Sequence, residues 1–201
     1  PVYWQLFKSL SELEVELIIA PISGMAVDTL WWRCESLSPN PFFSIVDDAY
    51  RLAGTLKKAP STSFSLGRSA KGATGFLRQK YLESKLKHAR SAWKTNLSNI
   101  LRKEQNVDIV MLFNLRLAEF VGVPTYLRNQ FGIPTVAYEA DFPLYLSYRN
   151  EKEFDLLFER RNFSEFDLLL TNSDGIIPRL LELGARNARS LHFAADPYVY
   201  T

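Results

Sequence analysis

Two carboxylates, Glu139 and Asp141, stand two residues apart directly after the apolar run Ile133–Tyr138. If both are buried, one raises the pKa of the other, and the pair becomes a candidate for general acid/base chemistry. The same residues also read as a turn-capping Asp141 beside a solvated Glu139, and their types and spacing leave both readings open. Four further loops follow apolar runs and carry short polar side chains: Ser23-Gly24, Asn114-Leu115-Arg116, Asn172-Ser173-Asp174 and Ala195-Asp196. Ligands of an open parallel sheet gather beyond the carboxyl ends of its strands. Ser23, Asn114, Arg116, Asn172 and Ser173 are therefore candidate substrate-binding residues, a set of donors and acceptors suited to a sugar or another polyol. Ser173 has a second reading as a helix N-cap, its hydroxyl accepting a backbone N–H.

Other chemistries find less support. His88 and His192 have no second histidine, cysteine or acid at metal-ligand spacing, so no zinc or other metal site is expected. Cys34, the single cysteine, reads as a small hydrophobe. The chain contains no G-x-G-x-x-G, no G-x-x-x-x-G-K-[ST] and no G-x-S-x-G, which counts against dinucleotide, P-loop and α/β-hydrolase sites.

The elements that must position these loops alternate in type. Tyr3, Leu6, Phe7, Leu10 and Leu13 recur at helical spacing, and Val15–Ala20 follows as a strand. Trp31-Trp32 and Pro39-Asn40-Pro41 form an irregular region, Phe42–Leu56 reads as a helix, and the Ser-, Lys- and Pro-rich 57–67 as a loop. A long helix from about Thr74 to Glu104 turns Leu82, Leu86, Ala89, Trp93, Leu97 and Ile100 to the core. Val107–Phe113 gives a strand, Pro124–Phe131 a helix stopped by Gly132, Ile133–Tyr138 a strand and Glu151–Phe166 a mixed helix. In Asp167–Pro197, Leu168–Leu170 reads as a strand, Ile176–Leu183 as a helix stopped by Gly184, and Ser190–Ala194 as a final strand. Fully apolar strands alternating with helices predict an α/β class, a Rossmann-like parallel sheet with helices on both faces. Residues 1–201 read as one domain. A helix already under way at the first residues implies that the first strand of the sheet is missing.

Of the 201 residues 47% are apolar and 23% charged, ordinary globular usage. No run approaches the roughly 20 apolar residues of a membrane span. With one cysteine and no secretory pattern at the start, a cytoplasmic setting is the expectation. The net charge of +2 conceals an asymmetry: between Gly67 and Lys103 ten Lys/Arg face one acid, Glu83. Such a helix reads as a solvated face, as a peripheral contact with an anionic membrane, or, without any recognised binding motif, least well as a nucleic-acid surface.

The order strand, Thr171-Asn172-Ser173, helix, Leu183-Gly184-Ala185, strand, Ala195-Asp196-Pro197 resembles the last unit of the N-terminal domain of a GT-B fold glycosyltransferase. More narrowly it is similar to the family-4-like and spore-protein-like groups. The resemblance covers mainly Val107–Pro197. It implies an acceptor-side domain of an enzyme that moves a sugar from a nucleotide-sugar donor, without a bound metal or other cofactor. The donor would be held chiefly by a C-terminal domain beyond Thr201, and the fragment alone would not turn over. Asp196 before Pro197 corresponds to the family's passage into that second domain, a hinge position. The family often places an acceptor-contacting histidine in the loop where this chain has Glu139-Ala140-Asp141, so that role is not carried over. The rival expectations are a non-catalytic Rossmann-like ligand-binding or regulatory domain and a nucleotide-sugar epimerase of GT-B architecture.

Overall fold

The computed structural model describes residues 4–21, 27–37, 68–113, 117–139 and 160–192, with side chains of 4, 5, 68–79, 81, 82 and 160–162 excepted. In chain order these form α1 (Trp4–Glu12), β1 (Ile18–Ile19), β2 (Arg33–Cys34), α2 (Arg68–Glu104), β3 (Val110–Phe113), α3 (Val123–Phe131), β4 (Thr135–Glu139), β5 (Leu168–Thr171), α4 (Ile177–Glu182) and β6 (Ala188–Ser190). Short 3-10 turns occupy Leu117–Phe120, Arg160–Glu165 and Asp174–Ile176. The mixed α/β class with parallel sheets is thus present. β3-β4-β5-β6 form a four-stranded sheet and β1-β2 a separate pair, every pairing being parallel.

Register explains how the sheet is sealed. Leu112, Ala137, Leu169 and Ala188 lie in one straight row across the four strands, and all four are buried. Onto the core that contains them pack Trp93, Leu97 and Leu101 of α2, Val123 and Leu127 of α3, and Leu180 of α4. The next row, Phe113, Tyr138, Leu170 and Arg189, turns to the opposite face because side chains alternate along a strand. There Phe7 of α1 meets the Phe113 ring edge-on at 5.4 Å.

The helices owe their limits to local chemistry. Gly132 at the end of α3 adopts φ 71° and its N–H donates to the Arg128 carbonyl, the left-handed stop that glycine takes without a Cβ penalty. At the start of α3, Glu165 acts as a cap from another element. Its Oε2 accepts the Gly122 N–H at 2.7 Å and the Thr125 hydroxyl at 3.3 Å. Asp167 joins α3 to the sheet: its carboxylate accepts from Arg128 at 2.7 Å and from the Thr135 N–H at 2.8 Å.

Several expected boundaries move. α2 begins at Arg68 rather than Thr74, and Leu101 rather than Ile100 completes its buried stripe. The end of the expected helix Glu151–Phe166 is the 3-10 turn Arg160–Glu165, its earlier residues lying outside those described. The expected helix Phe42–Leu56 and loop 57–67 also lie outside them. β2 was not foreseen. Its outer side is closed by the preceding segment, with the Cys34 N–H donating to Asp28 at 2.6 Å and the Thr29 N–H to the Trp32 carbonyl at 3.0 Å. The last strand is Ala188–Ser190, not Ser190–Ala194. Among the described residues no helix is long and apolar enough to cross a membrane.

Candidate functional site

The carboxyl edge of the four-stranded sheet ends in polar residues. Glu139, Thr171 and Ser190 form the last register row of β4, β5 and β6, so strand geometry sends their side chains to one face. The expected pairing of Glu139 with Asp141 is not testable in position, because Asp141, like Ser23, Asn114, Arg116 and Asp196, lies outside the described residues. Glu139 is half-buried at the end of β4. Asn172 and Ser173, also half-buried, follow β5 directly.

Two residues join this rim that spacing alone did not single out. Because β6 stops at Ser190, His192 stands past the strand end rather than within a strand. Its Nδ1 lies 2.9 Å from the Asn172 carbonyl oxygen and its Nε2 3.4 Å from Asp174 Oδ2. Both ring nitrogens therefore face acceptors, which a doubly protonated imidazolium satisfies with two donated protons. Asp174 is held below the ordinary carboxylate range, first by a hydrogen bond from the Ser190 hydroxyl and then by the charge of and a hydrogen bond from His192. The segment between is pinned: the Leu191 N–H donates to the Thr171 carbonyl at 2.6 Å, and its own carbonyl accepts from the buried Tyr138 hydroxyl at 3.3 Å.

Ser173 occupies the N-cap position before the turn Asp174–Ile176, with extended backbone at φ −142°, yet its side chain makes no capping hydrogen bond. The capping role expected of its hydroxyl is thus not realised. Thr171 is fully buried, and its hydroxyl finds no partner among the described residues.

The rim is open. The Asp174 and His192 side chains are 74% and 61% exposed. Hydroxyl, amide, carboxylate and imidazole groups on short side chains can share hydrogen bonds with a polyhydroxylated ligand. An imidazole with both nitrogens engaged binds by charge and donation, and holds no lone pair ready to accept a proton. No group of three or more His, Cys, Asp or Glu able to hold a metal ion occurs among the described residues.

The basic character of α2 divides on inspection. Arg90 donates twice to the Ala118 carbonyl, at 3.0 and 2.9 Å. Lys94 sits 5.5 Å from the Tyr126 ring centre, and Lys103 pairs with Glu35. These three serve packing, whereas Lys80, Lys87 and Arg102 are exposed.

The signal for His192 was present but weak. Leu191–Ala195 is more apolar than Ala188–Ser190, so periodicity drew the strand three residues late. Register, set by pairing with β5, decided otherwise. No family model, no curated protein and no solved structure matches this chain.

Proposed function

We propose that this domain forms the acceptor side of a glycosyltransferase of GT-B type, which moves a sugar from a nucleotide-sugar donor to an acceptor. The observation that carries the reading is the polar rim: Glu139, Thr171 and Ser190 in one register row, with Asp174 and His192 fastened at its edge. It supplies the short hydrogen-bonding groups that a sugar or other polyol acceptor needs at the carboxyl ends of parallel strands. The order of motifs in Val107–Pro197 supports the same reading. A companion domain holds the donor, Asp141 and Glu139 are the candidate acid/base residues, and Ser23, Asn114, Arg116, Asn172 and Ser173 contribute to the acceptor wall. Asp196 marks the hinge. The exposed Lys80 and Lys87 on α2 suit a peripheral contact with an anionic membrane bearing the acceptor.

The test is nucleotide release by the full-length gene product, with UDP-, GDP- and dTDP-sugars, with and without candidate acceptors. Release that needs an acceptor, and that Asp141→Ala abolishes, is the expected result. Absence of release together with absence of nucleotide-sugar binding by calorimetry overturns the proposal. The open rim and the fully engaged His192 ring favour a second reading, a non-catalytic ligand-binding module. It predicts saturable binding of a polyol to the domain with no nucleotide released.

A further inference from the structure

The two parallel sheets have edges that fit one missing strand. In β1 the Leu17 and Ile19 carbonyls accept from the Arg33 and Glu35 N–H groups at 3.0 and 2.9 Å. Residues of a strand point their backbone groups to alternate sides, so the N–H and C=O of Ile18 face away from β2. In β3 the Val110 N–H donates to the Pro134 carbonyl at 3.0 Å, so the backbone groups of Met111 face away from β4. Among the described residues no strand pairs with either edge.

Three contacts place these edges toward each other. Phe7 of α1 stacks edge-on against Phe113 of β3 at 5.4 Å and against Trp32, beside β2, at 5.9 Å. Arg33 of β2 pairs with Glu104 at 2.9 Å, and Glu35 with Lys103, both at the end of the helix that leads into β3. The β1-β2 pair therefore lies on the side of β3 away from β4. Its outer side at β2 is already closed by Asp28 and Thr29, which leaves β1 as the edge turned toward β3.

The helix α1 runs straight into β1 while packing over β3. That is the position of a crossover helix, and a crossover in a parallel sheet starts from a strand parallel to the one it feeds, with right-handed sense. α1 and α2 obey that sense. α1 lies on the Phe113 face and α2 on the Leu112 face, as expected if the chain proceeds one way from the missing strand to β1 and β2 and the other way from β3 to β6.

We propose that a parallel strand of this polypeptide, entering α1 from its N-terminal end, inserts between β1 and β3. It would fuse the pair and the four-stranded sheet into one seven-stranded sheet. The sheet order would then reverse between this strand and β3, which makes the crevice beyond their carboxyl ends the ligand-binding switch point. The inference is independent of the sugar-transfer reading and locates the ligand for any activity of the domain.

The test is nuclear magnetic resonance on the polypeptide as its gene encodes it, including the residues ahead of Pro1. Slow amide exchange at Ile18 and Met111, with cross-strand contacts from both to one common strand ahead of α1, is the expected result. Fast exchange at either amide overturns the proposal. So do contacts to a segment within 22–26, 38–67 or 193–201, or a gene that encodes nothing ahead of Pro1.

Discussion

Arg128 donates both to the Asp167 carboxylate, at 2.7 Å, and to the Glu165 carbonyl, at 2.9 Å. One guanidinium thereby fastens α3 to the residues that lead into β5. Asp167 in turn accepts the Thr135 N–H at 2.8 Å, so the entry of β4 hangs on the same carboxylate. Burial works to raise the pKa of Asp167, but the Thr135 N–H and the Arg128 and Arg186 guanidinium groups outweigh it and hold the group below its ordinary value.

Replacing Asp167 by Ala should cost about 1–2 kcal/mol, less than a fully buried charge pair because both partners are about one-third exposed. Its pH dependence has a definite sign. The folded pKa is depressed, so the stabilisation is complete above the unfolded value of 3.8 and is lost as pH falls through the folded value. The gap in denaturation midpoint between wild type and Asp167→Ala should therefore close in acid below that value.

Glu165 should behave in the opposite way. Burial raises its pKa above 4.5, against the pull of the Gly122 N–H, Thr125 and Lys94. The fold then binds the proton more tightly than the unfolded chain does, and stability falls as pH rises from 4.5 through the folded value. Glu165→Gln keeps an acceptor for Gly122 and lacks this slope. The variant should gain on wild type between acid and neutral pH in thermal melts, and a constant difference would refute the assignment.

Thr135 and Thr171 are fully buried, with hydroxyls that find no partner among the described residues. Valine has nearly the same shape and no polar group to desolvate. Thr135→Val and Thr171→Val should each be neutral or stabilising by up to about 1 kcal/mol. A measured loss in chemical denaturation would mean that the hydroxyl is hydrogen-bonded in solution.

Leu169 has no exposure and Leu30 is 96% exposed. Leu169→Ala should cost about 2–5 kcal/mol, whereas Leu30→Ala should leave the midpoint within about 0.5 kcal/mol. Equal effects would contradict the placement of the core.

The sequence pattern foretold the parts that burial dictates. Val110–Phe113, Thr135–Glu139 and Leu168–Thr171 lie within or close to their apolar runs because a strand covered on both faces must be apolar throughout. Ala89, Trp93 and Leu97 fall on the predicted stripe of α2 for the same reason. What eluded prediction depends on partners far along the chain. The short β2 is held by β1, Asp28 and the ion pair to Glu104, none of which leaves a local signature at Arg33-Cys34. At the rim, Asn172 and Ser173 were legible as a polar loop after a strand. The Asp174–His192 pair was not, since it requires β5 and β6 to lie side by side in one particular register.

In the larger sheet each strand pairs with the one that follows it in the chain, β3 with β4, β4 with β5 and β5 with β6. Nothing has to be threaded between partners already joined. The sheet can lengthen by one edge at a time, in the direction of synthesis, as each helix closes over the strand just laid down. By contrast, a strand set between β1 and β3 would unite the earliest part of the chain with a partner about a hundred residues later, a closure that topology makes slow. Folding of such a sheet would proceed as local growth of one half followed by a single late joining of the two.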